Sequence, residues 1–171
     1  MTARTLVLLR HAKAQTPGDR PDFERELTGR GRSDAAAAGS WLAGHGLYPD
    51  LVICSPASRA RQTWQGVAAA LAEAAPDHPA THVRYDEGLY DGGRTAVVDA
   101  LRAVPDSVHT VLVVGHNPTM SDVSMLLRPD DADPDWPGLK TAGLAVHRTE
   151  RPWTDAEPGS LPFVRTHTAR G

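Results

Sequence analysis

The sequence is poor in cysteine, and this excludes two kinds of site at the outset. One cysteine among 171 residues cannot form an internal disulfide, and it cannot build a cluster of thiolate ligands. Cys54 ends the short apolar run 51–54. We therefore expect a small buried hydrophobic side chain at this position, in a reducing compartment such as the cytoplasm.

Long apolar segments and a dominant charge are also missing. No stretch approaches the ~20 apolar residues that a helix needs to span a bilayer, and the residues after Met1 lack the pattern of a secretory signal. The formal net charge is -3, so no overall field attracts nucleic acid or anionic lipid. We expect a cytoplasmic protein without nucleic-acid or membrane partners, in which any anion site is local.

Short apolar runs alternate with helical patterns along the chain. The predicted strands cover residues 5–9, 51–54, 81–85, 110–114, 144–147 and 163–166, the predicted helices cover 28–43, 56–74, 97–104 and 118–127, and the predicted loops include 15–26, 86–93 and 128–138. A chain of this length is expected to form one domain, 1–171. The alternation predicts an α/β three-layer sandwich, in which helices cover both faces of a mainly parallel central sheet.

Charged or imidazole side chains follow three of the predicted strands. Arg10 and His11 come directly after the first strand, and His116 closely follows the fourth. Arg59 lies in the first turn of the helix predicted over 56–74, where the helix dipole disfavours a cation, so its charge suggests an anion that arrives from outside. Because ligands of such sheets bind beyond the carboxyl ends of the strands, we expect these four side chains to converge on one pocket.

Three positions are typical of helix starts. Ser55 before Pro56, and Asn117 before Pro118, each fit an N-cap followed by the first helical residue, and Thr28 fits an N-cap of the first helix. We therefore interpret Ser55 and Asn117 as helix caps rather than as catalytic groups.

Two arginines and two histidines suit a tetrahedral oxyanion. Arginine presents forked donors that match phosphate oxygens, and histidine near neutral pH acts as a nucleophile or as a donor. A zinc site made from His11 and His116 would need a third ligand from the loops, so no metal is expected. A neutral imidazole can attack phosphorus and hold the phosphoryl group transiently, which splits one difficult displacement into two easier steps.

The motifs also carry a family resemblance that spans almost the whole chain. The main blocks are Leu9-Arg10-His11-Ala12-Lys13, Ser55-Pro56-Ala57-Ser58-Arg59-Ala60-Arg61-Gln62-Thr63 and Val114-Gly115-His116-Asn117-Pro118, with Arg25-Glu26-Leu27-Thr28 and Lys140-Thr141-Ala142-Gly143 in addition. In this order they resemble the histidine phosphatase superfamily, and within it the small SixA-like phosphohistidine phosphatases.

The resemblance implies a role for each matching residue. His11 would be the nucleophile that becomes phosphorylated, and Arg10, Arg59 and His116 would make the phosphate pocket. Arg25 would be a further phosphate or substrate contact. The resemblance implies no metal and no organic cofactor, and the partner would be a phosphorylated protein or a small phosphoester.

The chain departs from the family pattern at several positions. Ala12 stands where the superfamily usually has glycine, an exchange typical of SixA-like members, and Glu26 replaces the usual proline. Larger members use a general acid near the segment that matches 86–91, where Asp91 is the first candidate and Glu87 is its rival. A phosphohistidine leaving group needs a proton less than an alkoxide does, so a weak or absent acid is tolerable.

Three functions stay open on the sequence. The first is a phosphatase that works through a phosphohistidine intermediate on His11, acting on phosphohistidine in a protein. The second is a small-molecule phosphomonoesterase with Asp91 or Glu87 as general acid, and the third is a non-catalytic phosphate-binding module. The remaining histidines lie outside the motifs and are expected at the surface or at strand edges; they are His45, His78, His82, His109, His147 and His167.

Overall fold

The strands and helices follow the alternation that the apolar runs predict. The computed structural model describes residues 2–129 and 133–171. The strands are β1 (Arg4–Arg10), β2 (Leu51–Cys54), β3 (His82–Tyr85), β4 (Thr110–Gly115), β5 (Gly143–Thr149) and β6 (Phe163–Thr168). The helices are α1 (Gly29–Gly44), α2 (Ser58–Ala74), α3 (Gly88–Asp91), α4 (Gly93–Arg102) and α5 (Thr119–Leu127), and short 3-10 turns occur at Asp22–Glu24 and Trp153–Asp155.

The strands form one sheet in the order β3-β2-β4-β1-β5-β6. Strands β1 to β4 are parallel, whereas β5 runs antiparallel to β1, and β6 runs antiparallel to β5. The carboxyl ends of β1, β2 and β4 therefore meet at one edge of the sheet, which is where a ligand site is expected in such folds.

Helices cover both faces of this sheet, because alternate strand residues point to opposite sides. Val7 and Leu9 belong to a core with α1 and α2, whereas Leu6 and Leu8 belong to a second core with α4 and α5. The side chains of β1 between its ends are buried, as expected for a strand that is covered on both faces. This confirms the predicted α/β three-layer sandwich with a mainly parallel sheet.

Several element boundaries differ from the prediction. The predicted loop 86–93 contains the single turn α3, and α4 spans 93–102 instead of 97–104. Helix α2 begins at Ser58 rather than at Pro56, because Ala57 still has extended backbone angles. Of the loop predicted over 128–138, residues 130–132 lie outside the described part of the chain.

One of the three predicted helix caps is confirmed and two are wrong. Thr28 caps α1 as predicted, since its side chain accepts a hydrogen bond from the Gly31 N–H. Ser55 is not the N-cap of α2, and α5 begins at Thr119 with Pro118 as its N-cap. The Asn117 side chain instead accepts from Ser121 and donates to the Leu139 carbonyl.

His147 is the histidine whose location was predicted wrongly. It lies on β5, between β1 and β6, and its side chain is fully buried instead of lying at a surface or a strand edge.

Among the described residues, no helix is both long and apolar enough to cross a membrane.

Candidate active site

His11 is held at the carboxyl end of β1 by hydrogen bonds that its own backbone N–H and that of the next residue donate to other parts of the chain. Its N–H donates to the Gly115 carbonyl (2.9 Å), and the next N–H, of Ala12, donates to the Thr63 hydroxyl (3.0 Å). The His11 Nδ1 lies 2.7 Å from the Ala12 carbonyl oxygen. Because a carbonyl can only accept, Nδ1 carries the proton of the neutral ring, and Nε2 keeps its lone pair.

His116 follows β4 and faces His11 across the cleft. The two ring centroids are 5.2 Å apart. The His116 Nε2 lies 2.8 Å from the Ser55 hydroxyl oxygen, and the Ala57 N–H donates to this oxygen (3.3 Å). The other ring nitrogen, Nδ1, is buried and has no hydrogen-bond partner among the described residues.

Both imidazoles are held in the neutral form. Burial lowers the pKa of His11 to about 3, and the positive charges of Arg59 and Arg10 act in the same direction, although the bond to Ala12 opposes them. Burial also lowers the pKa of His116 to about 4, and Arg59 is its next cause. At neutral pH, His11 is therefore an uncharged nucleophile that needs no base to deprotonate it.

Arg10 and Arg59 reach the same cleft, and each is anchored through its terminal nitrogens. Arg10 Nη1 donates to the Leu139 carbonyl (3.0 Å). Arg59 Nη1 donates to the Asp22 carbonyl (2.7 Å), and Arg59 Nη2 donates to the Asp22 carboxylate (3.0 Å). In both arginines the Nε atom is buried and has no partner among the described residues.

Three residues that line this cleft carry buried nitrogens without a hydrogen-bond partner among the described residues. Within the described part of the chain, five buried side-chain nitrogens lack a hydrogen-bond partner, and three of them belong to Arg10, Arg59 and His116. The two arginine Nε atoms are always donors, and a buried donor without an acceptor is costly, so they indicate an acceptor-rich ligand such as an oxyanion. The cleft is lined by Arg10, His11, Lys13, Ala14, Arg25, Arg59, His116, Asn117 and Thr141.

The sequence profile of the histidine phosphatase superfamily (branch 1) matches residues 6–91. The chain belongs to this superfamily. It is therefore a phosphatase of the hydrolase class, and the predicted family is confirmed. An uncharacterized protein of Mycobacterium tuberculosis is 39% identical over 168 residues, which cover 95% of this chain and 100% of that protein.

Solved structures of SixA proteins have the same fold. A protein from Nakamurella multipartitia that is assigned as the phosphohistidine phosphatase SixA is 35% identical, with a TM-score of 0.83 over 99% of this chain and 98% of that chain. A protein histidine phosphatase SixA complexed with tungstate is 23% identical, with a TM-score of 0.78 over 96% of each chain. The chain is thus a SixA-like histidine phosphatase.

Arg25 reaches the cleft of this histidine phosphatase, as the sequence predicts, but it is held by a residue that the sequence analysis missed. Arg25 Nε donates to the Asp22 carboxylate (3.0 Å), and Arg25 Nη1 donates to the Gln15 carbonyl (2.7 Å). Asp22 also binds Arg59 and accepts from the Tyr90 hydroxyl (2.8 Å). The only sequence signal for Asp22 is its position three residues before Arg25, which is weak by itself.

The segment predicted to carry the general acid contributes a different side chain. The α3 turn brings Tyr90 against the site, with its ring centroid 5.6 Å from that of His116. Neither Glu87 nor Asp91 lines the cleft, and neither side chain forms a hydrogen bond or ion pair with another described residue. A general-acid role for Asp91 or Glu87 in this histidine phosphatase stays a prediction.

Proposed function

We propose that this histidine phosphatase hydrolyses phosphohistidine in a partner protein through a covalent phosphohistidine intermediate on His11. The observation that carries the proposal is the neutral His11 ring, with a free Nε2, in a cleft lined by three residues that each have an unpartnered buried nitrogen. Catalysis of phosphoryl transfer depends mainly on positioning and on charge stabilisation, and this cleft supplies both.

The first step transfers the phosphoryl group to the enzyme. The His11 Nε2 lone pair forms a bond to phosphorus while the bond from phosphorus to the leaving nitrogen breaks, and that electron pair stays on the leaving imidazole. Arg10 and Arg59 donate to the equatorial oxygens, whose charge must be stabilised in the transition state. In the second step, water attacks phosphorus, the bond to Nε2 breaks, and phosphate and neutral His11 are released.

His116 acts as a neutral donor in this proposal. The Ser55 hydroxyl already accepts from the Ala57 N–H, and its own proton can go to the His116 Nε2. The ring proton of His116 then lies on Nδ1, the nitrogen without a partner. Ser55 thus selects the tautomer that offers an N–H to a phosphoryl oxygen.

The carboxylate that binds two arginines of the cleft favours phosphohistidine over an alkyl phosphoester. Asp22 has its pKa lowered to about 2, by the hydrogen bond from Tyr90 first and by bonds from Arg25 and Arg59. It is therefore ionised at neutral pH and cannot protonate an alkoxide. An imidazole that is protonated on its remote nitrogen leaves as a neutral molecule without such a donor, and the SixA relatives are consistent with this substrate class.

The test is to trap and locate the phosphoryl group. Quenching turnover of a radiolabelled phosphohistidine peptide should give label on His11 that is labile to acid and stable to base. His11→Ala should abolish both the label and the hydrolysis, whereas His82→Ala, which removes an exposed imidazole of β3, should change neither.

Two results would contradict the proposal. If the His11→Ala variant still hydrolyses the substrate, the reaction does not pass through a covalent intermediate on His11. A specificity constant that is higher for alkyl phosphoesters than for phosphohistidine peptides, and that falls in Asp91→Asn or Glu87→Gln, would favour the small-molecule phosphomonoesterase.

A further inference from the structure

Asp22 joins three segments of the chain beside the phosphate-binding arginines. One carboxylate oxygen accepts from Arg25 Nε (3.0 Å), and the other accepts from Arg59 Nη2 (3.0 Å) and from the Tyr90 hydroxyl (2.8 Å). The Asp22 main-chain carbonyl accepts from Arg59 Nη1 (2.7 Å). Four hydrogen bonds from side chains therefore converge on one residue of the 3-10 turn Asp22–Glu24.

These bonds determine the orientation of the Arg59 guanidinium. A guanidinium is planar, so fixing both terminal nitrogens also fixes the direction of the Nε–H. In Arg59 both terminal nitrogens donate to Asp22, and the Nε atom is buried without a partner. The Arg59 side chain is 7% exposed, whereas that of Asp22 is 52% exposed, so Asp22 holds the buried cation from the outer side.

The same carboxylate allows two cations to lie close together. Arg25 and Arg59 would repel each other across the cleft, and the Asp22 charge between them offsets that repulsion. Tyr90 adds a neutral donor and stacks edge to face with Phe23, the next residue of the turn, at a centroid distance of 5.1 Å. The turn is thus fastened to α3 as well as to both arginines.

We propose that Asp22 is a positioning residue of the phosphoryl-transfer reaction: by bridging Arg25 and Arg59, it directs the Arg59 Nε–H toward the phosphoryl group. This inference rests on the proposed function. It assigns no proton transfer to Asp22, which acts only through the two arginines.

A rival interpretation makes the opposite forecast. If Asp22 only competes with the phosphoryl group for Arg59, removing its charge must tighten the binding of every oxyanion. If Asp22 positions Arg59, removing it must weaken the binding of a transition-state mimic more than the binding of a ground-state anion, because alignment matters most in the transition state.

The test uses Asp22→Asn, which keeps the size of the side chain. Arg25 and Arg59 bind different oxygens of Asp22, and asparagine replaces one of these oxygens with an NH2 donor, so one of the two arginines loses its acceptor. Inhibition constants for orthovanadate, which mimics the transition state, and for inorganic phosphate are measured against hydrolysis of p-nitrophenyl phosphate. We expect vanadate affinity to fall about tenfold and phosphate affinity to fall less than about threefold. The value of kcat should fall by about the same factor as vanadate affinity.

Glu24→Gln is the matched control, because Glu24 lies in the same turn and its side chain forms no hydrogen bond or ion pair with another described residue. It should leave both inhibition constants unchanged. Tyr90→Phe removes one donor to Asp22 and keeps the ring; it should shift the vanadate-to-phosphate ratio in the same direction, by about twofold. This second variant tests the proposal if Asp22→Asn does not fold.

Equal losses for both anions, no change, or tighter binding in Asp22→Asn would each overturn the positioning role. The ratio of the two affinities is independent of the identity of the phosphorylated partner. Failure to find label on His11 would overturn the proposed function, whereas an unchanged ratio in an active enzyme would overturn only the role of Asp22.

Discussion

The molecule contains two serine–histidine pairs that differ in one hydrogen bond. At the cleft, the His116 Nε2 lies 2.8 Å from the Ser55 hydroxyl. In the interior, the His147 Nε2 lies 2.9 Å from the Ser124 hydroxyl. The second nitrogen of His147 donates to the Leu161 carbonyl (3.0 Å), whereas the second nitrogen of His116 has no partner among the described residues.

This difference distinguishes the candidate site histidine from the interior one better than the pKa does. Burial lowers the pKa of His116 and of His147 alike, to about 4 in each case. A lowered pKa therefore reports only that both rings are buried and neutral. His116 is marked as a candidate ligand contact because the residue lines the cleft and its Nδ1 has no partner among the described residues.

The largest expected effect comes from removing the cleft histidine. His116→Ala should lower kcat on the order of 10²-fold to 10³-fold, because one preorganised donor to the transferring group is lost. Steady-state kinetics of p-nitrophenyl phosphate hydrolysis measure this loss, and urea unfolding checks that the variant is folded. A decrease in kcat of less than about threefold would show that His116 does not contribute to the proposed phosphate pocket.

The interior histidine should show the opposite pattern. His147→Ala leaves a cavity and deprives Ser124 and Leu161 of a partner, so the free energy of unfolding should fall by about 3 kcal/mol. Activity per folded molecule should stay within about twofold of the parent, since His147 contacts no group of the cleft. The comparison fails if unfolding is unchanged or if kcat falls as far as in His116→Ala. His82→Ala, at an exposed position, is the stability control.

The two serines sharpen the comparison with a smaller effect. Ser55→Ala should lower kcat about tenfold, because the His116 ring loses the bond that fixes its tautomer. Ser124→Ala removes the same atom from the other pair and should leave kcat unchanged while it lowers stability by about 1 kcal/mol. Equal effects on kcat would show that Ser55 does not orient His116.

The sheet could be predicted from the sequence because its signal is local. Residues 6–9 of β1 and 111–114 of β4 are all apolar, and charged or polar residues follow them closely, so both their strand character and their burial follow from composition. The turn α3 could not be predicted in this way. It has four residues among glycines and acids, and its position depends on contacts of Leu89 and Tyr90 with distant segments.

Prediction of the candidate site was limited for a similar reason. His11, Arg59 and His116 follow strand ends and match family motifs, so sequence spacing is enough to place them at one edge of the sheet. Asp22 and Tyr90 lie 68 positions apart in segments without regular periodicity, and tertiary contacts such as their hydrogen bond bring them together. The sequence also predicts a cap at Ser55. Its contact with His116 is tertiary and leaves no signal in the local sequence.

The unpartnered nitrogens of the cleft have a consequence for handling the protein in solution. Each buried donor without an acceptor costs the folded state about 1–3 kcal/mol, and a small oxyanion that supplies acceptors recovers part of this cost. Any anion that binds only the folded chain raises stability by mass action, by about 2.7 kcal/mol at one hundred times its dissociation constant. The choice of buffer, phosphate or another, is thereby part of the thermodynamics of this fold.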